Sequence, residues 1–251
     1  MRYTIEELLE KEAKYKNDVA FDPYDGVDCP VCKNRGYIAV VRNGYVVCDT
    51  CECVKERRVN LFLKKSGLEQ VAEKHTIANF VVEEEWQQNL KDLAIEYLKE
   101  DWKTKWFLVG GQIGSGKTMI CSAIMIEIMK KGVSGLYIRW QDEIKRLRAL
   151  KFKEEELQEA VARLIKPKVL YIDDLFKTHG KIDDDDFDIT NNIVNLRYAS
   201  DKITIFSSEL SLTKLEEIDD SFASRIFERA TQKYCLSISE NVIKNYRYKE
   251  K

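Results

Sequence analysis

The residues from Gly110 to Thr118, GGQIGSGKT, carry the densest chemical signal in the chain. From Gly111 they fit G-x-x-x-x-G-K-T, the P-loop or Walker A pattern, in which exposed backbone N–H groups and the start of a helix cradle phosphate oxygens. Gly111, Gly114 and Gly116 let the backbone curl round a phosphate with no Cβ in the way. Lys117 offers a charge to the β and γ phosphates of ATP, and the Thr118 hydroxyl suits a Mg²⁺ ion. Ser115 and Met119 complete the expected nucleotide-binding stretch.

A second stretch, Lys168 to Leu175, reads KVLYIDDL. An apolar strand that ends in two carboxylates meets the needs of a Walker B site. Asp173 is expected to hold the magnesium shell, and Asp174 to orient or deprotonate the attacking water. The pair lies one or two βα units downstream of Lys117, as a P-loop fold requires.

Five of the seven cysteines cluster between Cys29 and Cys53. In a reducing compartment such a cluster points to a metal rather than to crosslinks. Cys29-x₂-Cys32 and Cys48-x₂-Cys51 are separated by fifteen residues, the two-knuckle spacing of a zinc ribbon. Cys53 adds a C-x-C with Cys51, so five thiols compete for four places. All-thiolate ligation leaves no open position for water, which makes the expected zinc structural. So small a module has little core of its own and would draw much of its folding energy from the metal.

These groups must be positioned by elements that the pattern also predicts. Thr4, three residues before Glu7, has capping-box spacing and opens a helix over 4–16. GYIAVV and GYVV flank Arg42-Asn43 as two short strands and a turn. Residues 54–65 read as a basic helix, and 84–99 as a longer one. The apolar run Trp106 to Val109 supplies a strand before the P-loop, and Met119 to Met129 a helix after it. Further strands are expected at 136–140, 203–208 and 235–239, with helices over 142–152, 154–165, from the Asp183–Asp186 run to about 199, from the SLTKLEEI stretch and over 221–230. The run of four acids complements a helix dipole rather than forming a metal cluster. Alternation of strands and helices predicts an α/β fold with a mainly parallel sheet. The domain boundary is placed between 1–65 and 66–251.

Forty-one basic residues nearly balance forty-three acidic ones, so no global charge drives the chain to nucleic acid. The basic helix over 54–65 is a candidate contact for DNA or a partner, and Lys145, Arg146 and Arg148 are a candidate for single-stranded DNA. No apolar run approaches the roughly 20 residues of a membrane span, and a cytoplasmic location is expected. His75 and His179 are isolated and receive no catalytic role.

With these blocks assembled, the chain resembles the AAA+ family of DnaC-type replicative helicase loaders and IstB-type transposition ATPases. It is most similar to the zinc-bearing loaders of phages and mobile elements. The resemblance rests on the order of CPVC through CEC, Thr76 with Phe80, GQIGSGKT, YIDDLF, NLRY, TIFSSEL, SRIFER and NYR. It implies a zinc site of Cys29, Cys32, Cys51 and Cys53, with Cys48 spare. It implies that Arg225 reaches the ATP of a neighbouring subunit and that Arg247 reads nucleotide within its own. Two partners are implied, a hexameric replicative helicase and single-stranded DNA, together with self-assembly in the ATP state. One departure stands out. Many family members carry asparagine where this chain has Glu209, and an ionised carboxylate cannot donate to a phosphate, which leaves Ser208 to substitute or turnover weak.

The leading expectation is therefore an ATP-dependent loader of a replicative helicase. An IstB-type transposition ATPase on duplex DNA is the alternative within the family. A small-molecule P-loop kinase would need an acceptor pocket and an arginine-rich lid, which the sequence does not offer, and a nucleotide-binding adaptor with little hydrolysis remains as a third reading.

Overall fold

The computed structural model describes residues 3–22, 28–99, 101–178 and 180–239. The chain divides into two compact units, Met1–Leu61 and Phe62–Lys251. Both this division and the one expected after residue 65 fall within a single helix, Cys53–Ser66.

In the first unit Thr4 caps helix α1 (Ile5–Asp18): its hydroxyl accepts from the Glu7 N–H while the Glu7 carboxylate accepts from the Thr4 N–H. Strands β1 (Tyr37–Arg42) and β2 (Tyr45–Thr50) pair antiparallel from Tyr37 opposite Thr50 to Arg42 opposite Tyr45. The turn is Asn43-Gly44, one residue later than expected. Both residues have positive φ, 52° and 77°, which suits the tight hairpin turns that favour Asn-Gly. The Asn17 amide then exchanges two hydrogen bonds with the backbone of Ala39, fastening the end of α1 to β1. Helix α2 (Cys53–Ser66) follows.

The second unit is built on five strands in the order β4-β5-β6-β3-β7, with every neighbouring pair parallel. They are β3 (Phe107–Gly111), β4 (Gly135–Arg139), β5 (Val169–Leu175), β6 (Ile203–Ser208) and β7 (Cys235–Ile238). Strands β3 and β6 are buried along their whole length, and β5 is buried except at Asp174, as expected of central parallel strands covered on both faces. Parallel pairing needs helical crossovers. These are α4 (Lys117–Lys130), α5 (Trp140–Ala149), α6 (Glu154–Ile165), α7 (Asp184–Ala199), α8 (Leu212–Ile218) and α9 (Asp220–Ala230), with α3 (Glu85–Lys99) ahead of the sheet. Helix α4 is buried almost all round, from Ile120 to Met129. β6, last but one in sequence, lies between β3 and β5, so the C-terminal ends of three strands converge where ligands of open α/β sheets bind.

The acidic run behaves as a helix start. Asp183 caps α7 by accepting from the Asp185 N–H, Lys151 pairs with Asp185, and Arg148 pairs with Asp186.

Arg197 of α7 is fully buried, and among the described residues its polar partners are carbonyls and a hydroxyl rather than a carboxylate. Its guanidinium donates to the carbonyls of Leu164, Pro167 and Ile203 and to the Thr204 hydroxyl, so one side chain ties the end of α6 and the approach to β5 to strand β6. Replacement by methionine strands several buried carbonyls, each worth about 1–3 kcal/mol when unsatisfied. Arg197→Met is therefore expected to lower unfolding free energy by about 3 kcal/mol or more in a denaturant melt.

Candidate functional site

A cavity of about 510 Å³ opens at the C-terminal ends of β3 and β5. Gly114, Ser115, Gly116, Lys117, Thr118 and Met119 line one side of it. The loop is held tightly to the sheet: an added Cβ on Gly111, whose φ is +101°, would lie 2.1 Å from the Ile238 carbonyl oxygen of β7. Gly116 (φ 85°) turns the chain into α4 in a left-handed conformation that a side chain would strain. The Ser115 hydroxyl donates to the Gln112 carbonyl, bracing the loop from within. Lys117 is buried and donates to the carbonyls of Gly111 and Gln112 at 2.8 and 2.6 Å. Burial lowers its pKa, and the nearby Glu209 and Asp174 carboxylates act in the opposite direction. A buried ammonium above the N-terminus of a helix is a fitting receptor for a polyphosphate.

Asp173 is buried at the end of β5 and surrounded by hydroxyls. Its Oδ1 accepts from Thr118 (2.9 Å), Tyr171 (2.7 Å) and Ser207, and its Oδ2 accepts from Tyr137 at 3.0 Å. The Thr118–Asp173 contact joins the two oxygen donors that a hard divalent cation would use. Asp174 points elsewhere. The pairing of β5 with β6 slips between Ile172 and Leu175, and Asp174 (φ 54°) and Phe176 (φ 57°) adopt left-handed backbone conformations there. The bulge swings the Asp174 side chain into the cavity while Asp173 stays beneath it. Such conformations cost about 1–3 kcal/mol each for a non-glycine residue.

Residues beyond the P-loop and the two acids also line the cavity. His75, Phe80 and Val81 line the cavity, as do Lys177 and Glu209. His75, isolated in the sequence, thus belongs to the site, and burial lowers its pKa so that it favours the neutral form. No linear pattern connects it to Lys117. Ser208 does not face the cavity: its hydroxyl donates to the Leu175 carbonyl and accepts from the Leu210 N–H. The candidate substitute donor is therefore spent on structure, and Glu209, half-buried, takes the cavity-facing position. Arg225 lies on α9 away from the cavity and donates to the backbone and hydroxyl of Ser221. Arg247 falls outside the described residues, as does His179.

In the first unit, Cys29, Cys32, Cys51 and Cys53 bring their sulfurs within 4.8 Å of one another, and all four are buried. The Cys29–Cys51 and Cys32–Cys53 separations are 3.8 and 3.5 Å. A tetrahedral site with metal–sulfur distances of about 2.3 Å has edges of about 3.8 Å, so the donor set fits zinc. Burial pushes the Cys53 thiol up to about 12. Burial also opposes ionisation of Cys32, but the Gly36 N–H and neighbouring thiols outweigh it and bring that group down to about 6. Cys48 is exposed, contrary to the arithmetic of C-x₂-C. It sits in β2 opposite Ala39, and strand continues to Thr50, so three extended residues carry it about 10 Å from Cys51. Cys51 and Cys53 instead flank the strand-to-helix junction.

The basic triad on α5 is largely neutralised. Arg146 pairs with Glu143, and Arg148 with Asp186, while Lys145 stays exposed. Among the described residues no helix is long and apolar enough to cross a membrane.

Residues 42–251 match the family model of IstB-like ATP binding proteins. The phage-like element PBSX protein XkdC of Bacillus subtilis (strain 168) is 30% identical over 90% of this chain and 90% of its own. Among solved structures, AMPPCP-bound DnaA from Aquifex aeolicus superposes with a TM-score of 0.54 at 21% identity over 69% of this chain and 52% of that one. The chain thus spans about half the length of DnaA. The DnaC helicase loader superposes with a TM-score of 0.52 at 21% identity over 68% of this chain and 98% of that one.

Metal analysis checks the thiol geometry. One zinc per chain is expected in the parent and in Cys48→Ser, and less than one in Cys53→Ser, with a loss of folding of the first unit that chelation of the parent reproduces.

Proposed function

We propose that this chain, which belongs to the IstB-like ATP-binding protein family, is an ATP-dependent loader that places a hexameric replicative helicase on single-stranded DNA. It is an AAA+ ATPase, and the hydrogen bond from the cavity-lining Thr118 to the buried Asp173, beside a cavity-facing Asp174, is the observation that carries the mechanism. Bound Mg-ATP supplies the scissile phosphoanhydride bond. Lys117 and the loop N–H groups bind the phosphates, with Ser115, Gly116 and Met119 shaping the pocket and Thr118 and Asp173 holding the magnesium shell. Asp174 accepts a proton from the attacking water through Oδ1, the carboxylate oxygen that Lys177 does not hold. Arg225, on the partly exposed side of α9, acts on the nucleotide of a neighbouring copy, and Arg247 on its own. Hydrolysis is then slow in the monomer and rises on assembly. The four thiolates hold a structural zinc, and the small first unit grips the helicase.

The fold likeness to a helicase loader and the relationship to a phage-like element protein support this reading. So does charge. With Arg146 and Arg148 paired internally and the whole chain near neutrality, α5 offers little among the described residues to wrap duplex DNA, as a transposition ATPase would have to.

Two measurements check it. Native mass spectrometry of the chain with the replicative helicase of its source, with and without Mg-ATP, is expected to give a discrete complex. No complex, with ATP instead driving assembly on duplex DNA, would move the assignment to the transposition ATPase. In a turnover assay, Asp174→Asn is expected to lose about 100-fold or more in ATP hydrolysis while still binding ATP; near-zero rates in both parent and variant would leave a nucleotide-binding adaptor.

A further inference from the structure

Glu209 creates an electrostatic problem at the nucleotide site. It lines the same cavity as Lys117, and so does Asp174, so two carboxylates face the place where a polyphosphate belongs. Both also act on Lys117, raising its affinity for a proton against the effect of burial. Left alone, these acids would repel a terminal phosphate across a partly desolvated space. Lys177 stands between them. Its ammonium lies 2.7 Å from Glu209 Oε1 and 3.1 Å from Asp174 Oδ2, and its side chain lines the cavity.

The backbone of Lys177 is fixed on both sides. Its N–H donates to the Asp174 carbonyl at 3.0 Å, and its carbonyl accepts from the Gln141 amide at 2.7 Å. Burial disfavours the charged ammonium, but the hydrogen bonds to Glu209 and Asp174 outweigh it, and the net pKa is raised. Lys177 is thus cationic at neutral pH. An ammonium has three donors, and two carboxylates occupy two of them.

We propose that Lys177 and Glu209 work as a pair that senses the terminal phosphate: Glu209 holds Lys177 at the cavity, and the remaining ammonium donor of Lys177 contacts the γ-phosphate. The pair supplies the donor that neither Glu209 nor the inward-turned Ser208 can provide. It also links nucleotide state to Asp174, because a phosphate that draws on the same ammonium loosens its grip on the Asp174 carboxylate. The proposal rests on nucleotide binding alone and is independent of the partner that the chain serves.

The test is calorimetric titration of the full chain with Mg-ADP and with Mg-AMPPCP, which needs no turnover. Lys177→Met is expected to lose about tenfold or more in AMPPCP affinity, the scale of one hydrogen bond to a charged group, with ADP affinity unchanged within about twofold. Lys177→Arg, which keeps a cationic donor, is expected to retain most of the preference for AMPPCP. Glu209→Gln should reduce that preference by a smaller factor in the parent and add nothing to Lys177→Met. Equal losses for the two nucleotides in Lys177→Met, or no loss, overturn the proposal, as does an undiminished Glu209→Gln effect in the Lys177→Met background. If Lys177→Met does not fold, the Glu209→Gln arm decides by itself: a preference equal to or greater than that of the parent refutes the pair. Lys117→Ala, expected to lose both nucleotides, reports separately on the site as a whole.

Discussion

The nucleotide site depends on one buried anion. Asp173 sits beneath the cavity floor, where an unpaired carboxylate would be expensive, and four hydroxyls make it tolerable. Those hydroxyls come from four separate elements: Thr118 from α4, Tyr137 from β4, Tyr171 from β5 itself and Ser207 from β6. The same hydrogen bonds that solvate the acid therefore fix the helix carrying the P-loop against three strands. A change at any donor is felt at the others, because they share two oxygen atoms.

Asp174 is the counterpart of this arrangement. It must face the cavity rather than the hydroxyl cluster, yet adjacent residues on a regular strand point to opposite faces. The slip in register between β5 and β6 and the left-handed backbone at Asp174 resolve the conflict. The Ser207 hydroxyl sits close to the Asp174 N–H at 3.2 Å, so one serine serves both acids. Lys177 completes the set by holding the redirected carboxylate from the cavity side.

The first unit solves a different problem. Among the described residues it has few buried apolar side chains, and its core cluster consists of four cysteines with Ile38 and Val54 packed against them. A metal there would act as the centre of that core, and the hairpin and the start of α2 would be its legs. This explains why the ligands sit at the ends of elements, where the chain changes direction, and why a cysteine within a strand is left outside.

The chemical parts of this protein were legible in its sequence: the P-loop from Gly111 to Thr118, the acids Asp173 and Asp174, the cysteine cluster and the α/β alternation. Each is a local pattern in which residue type and spacing are themselves the physical requirement. The capping box at Thr4 and the acidic start of α7 were legible for the same reason. Other features belong to tertiary structure alone. Strand order placed β6 between β3 and β5, and with it brought Ser207 to Asp173 and Glu209 to the cavity. Packing put His75 on the cavity wall and turned Ser208 away from it. Extension of β2 to Thr50 excluded Cys48, which spacing had favoured. Lys177 acquired its meaning only when the fold set it between two carboxylates distant from one another in the chain. Spacing can encode what a single turn or loop must do, whereas the balance of charges in a cavity is decided by elements that meet only after the sheet has formed.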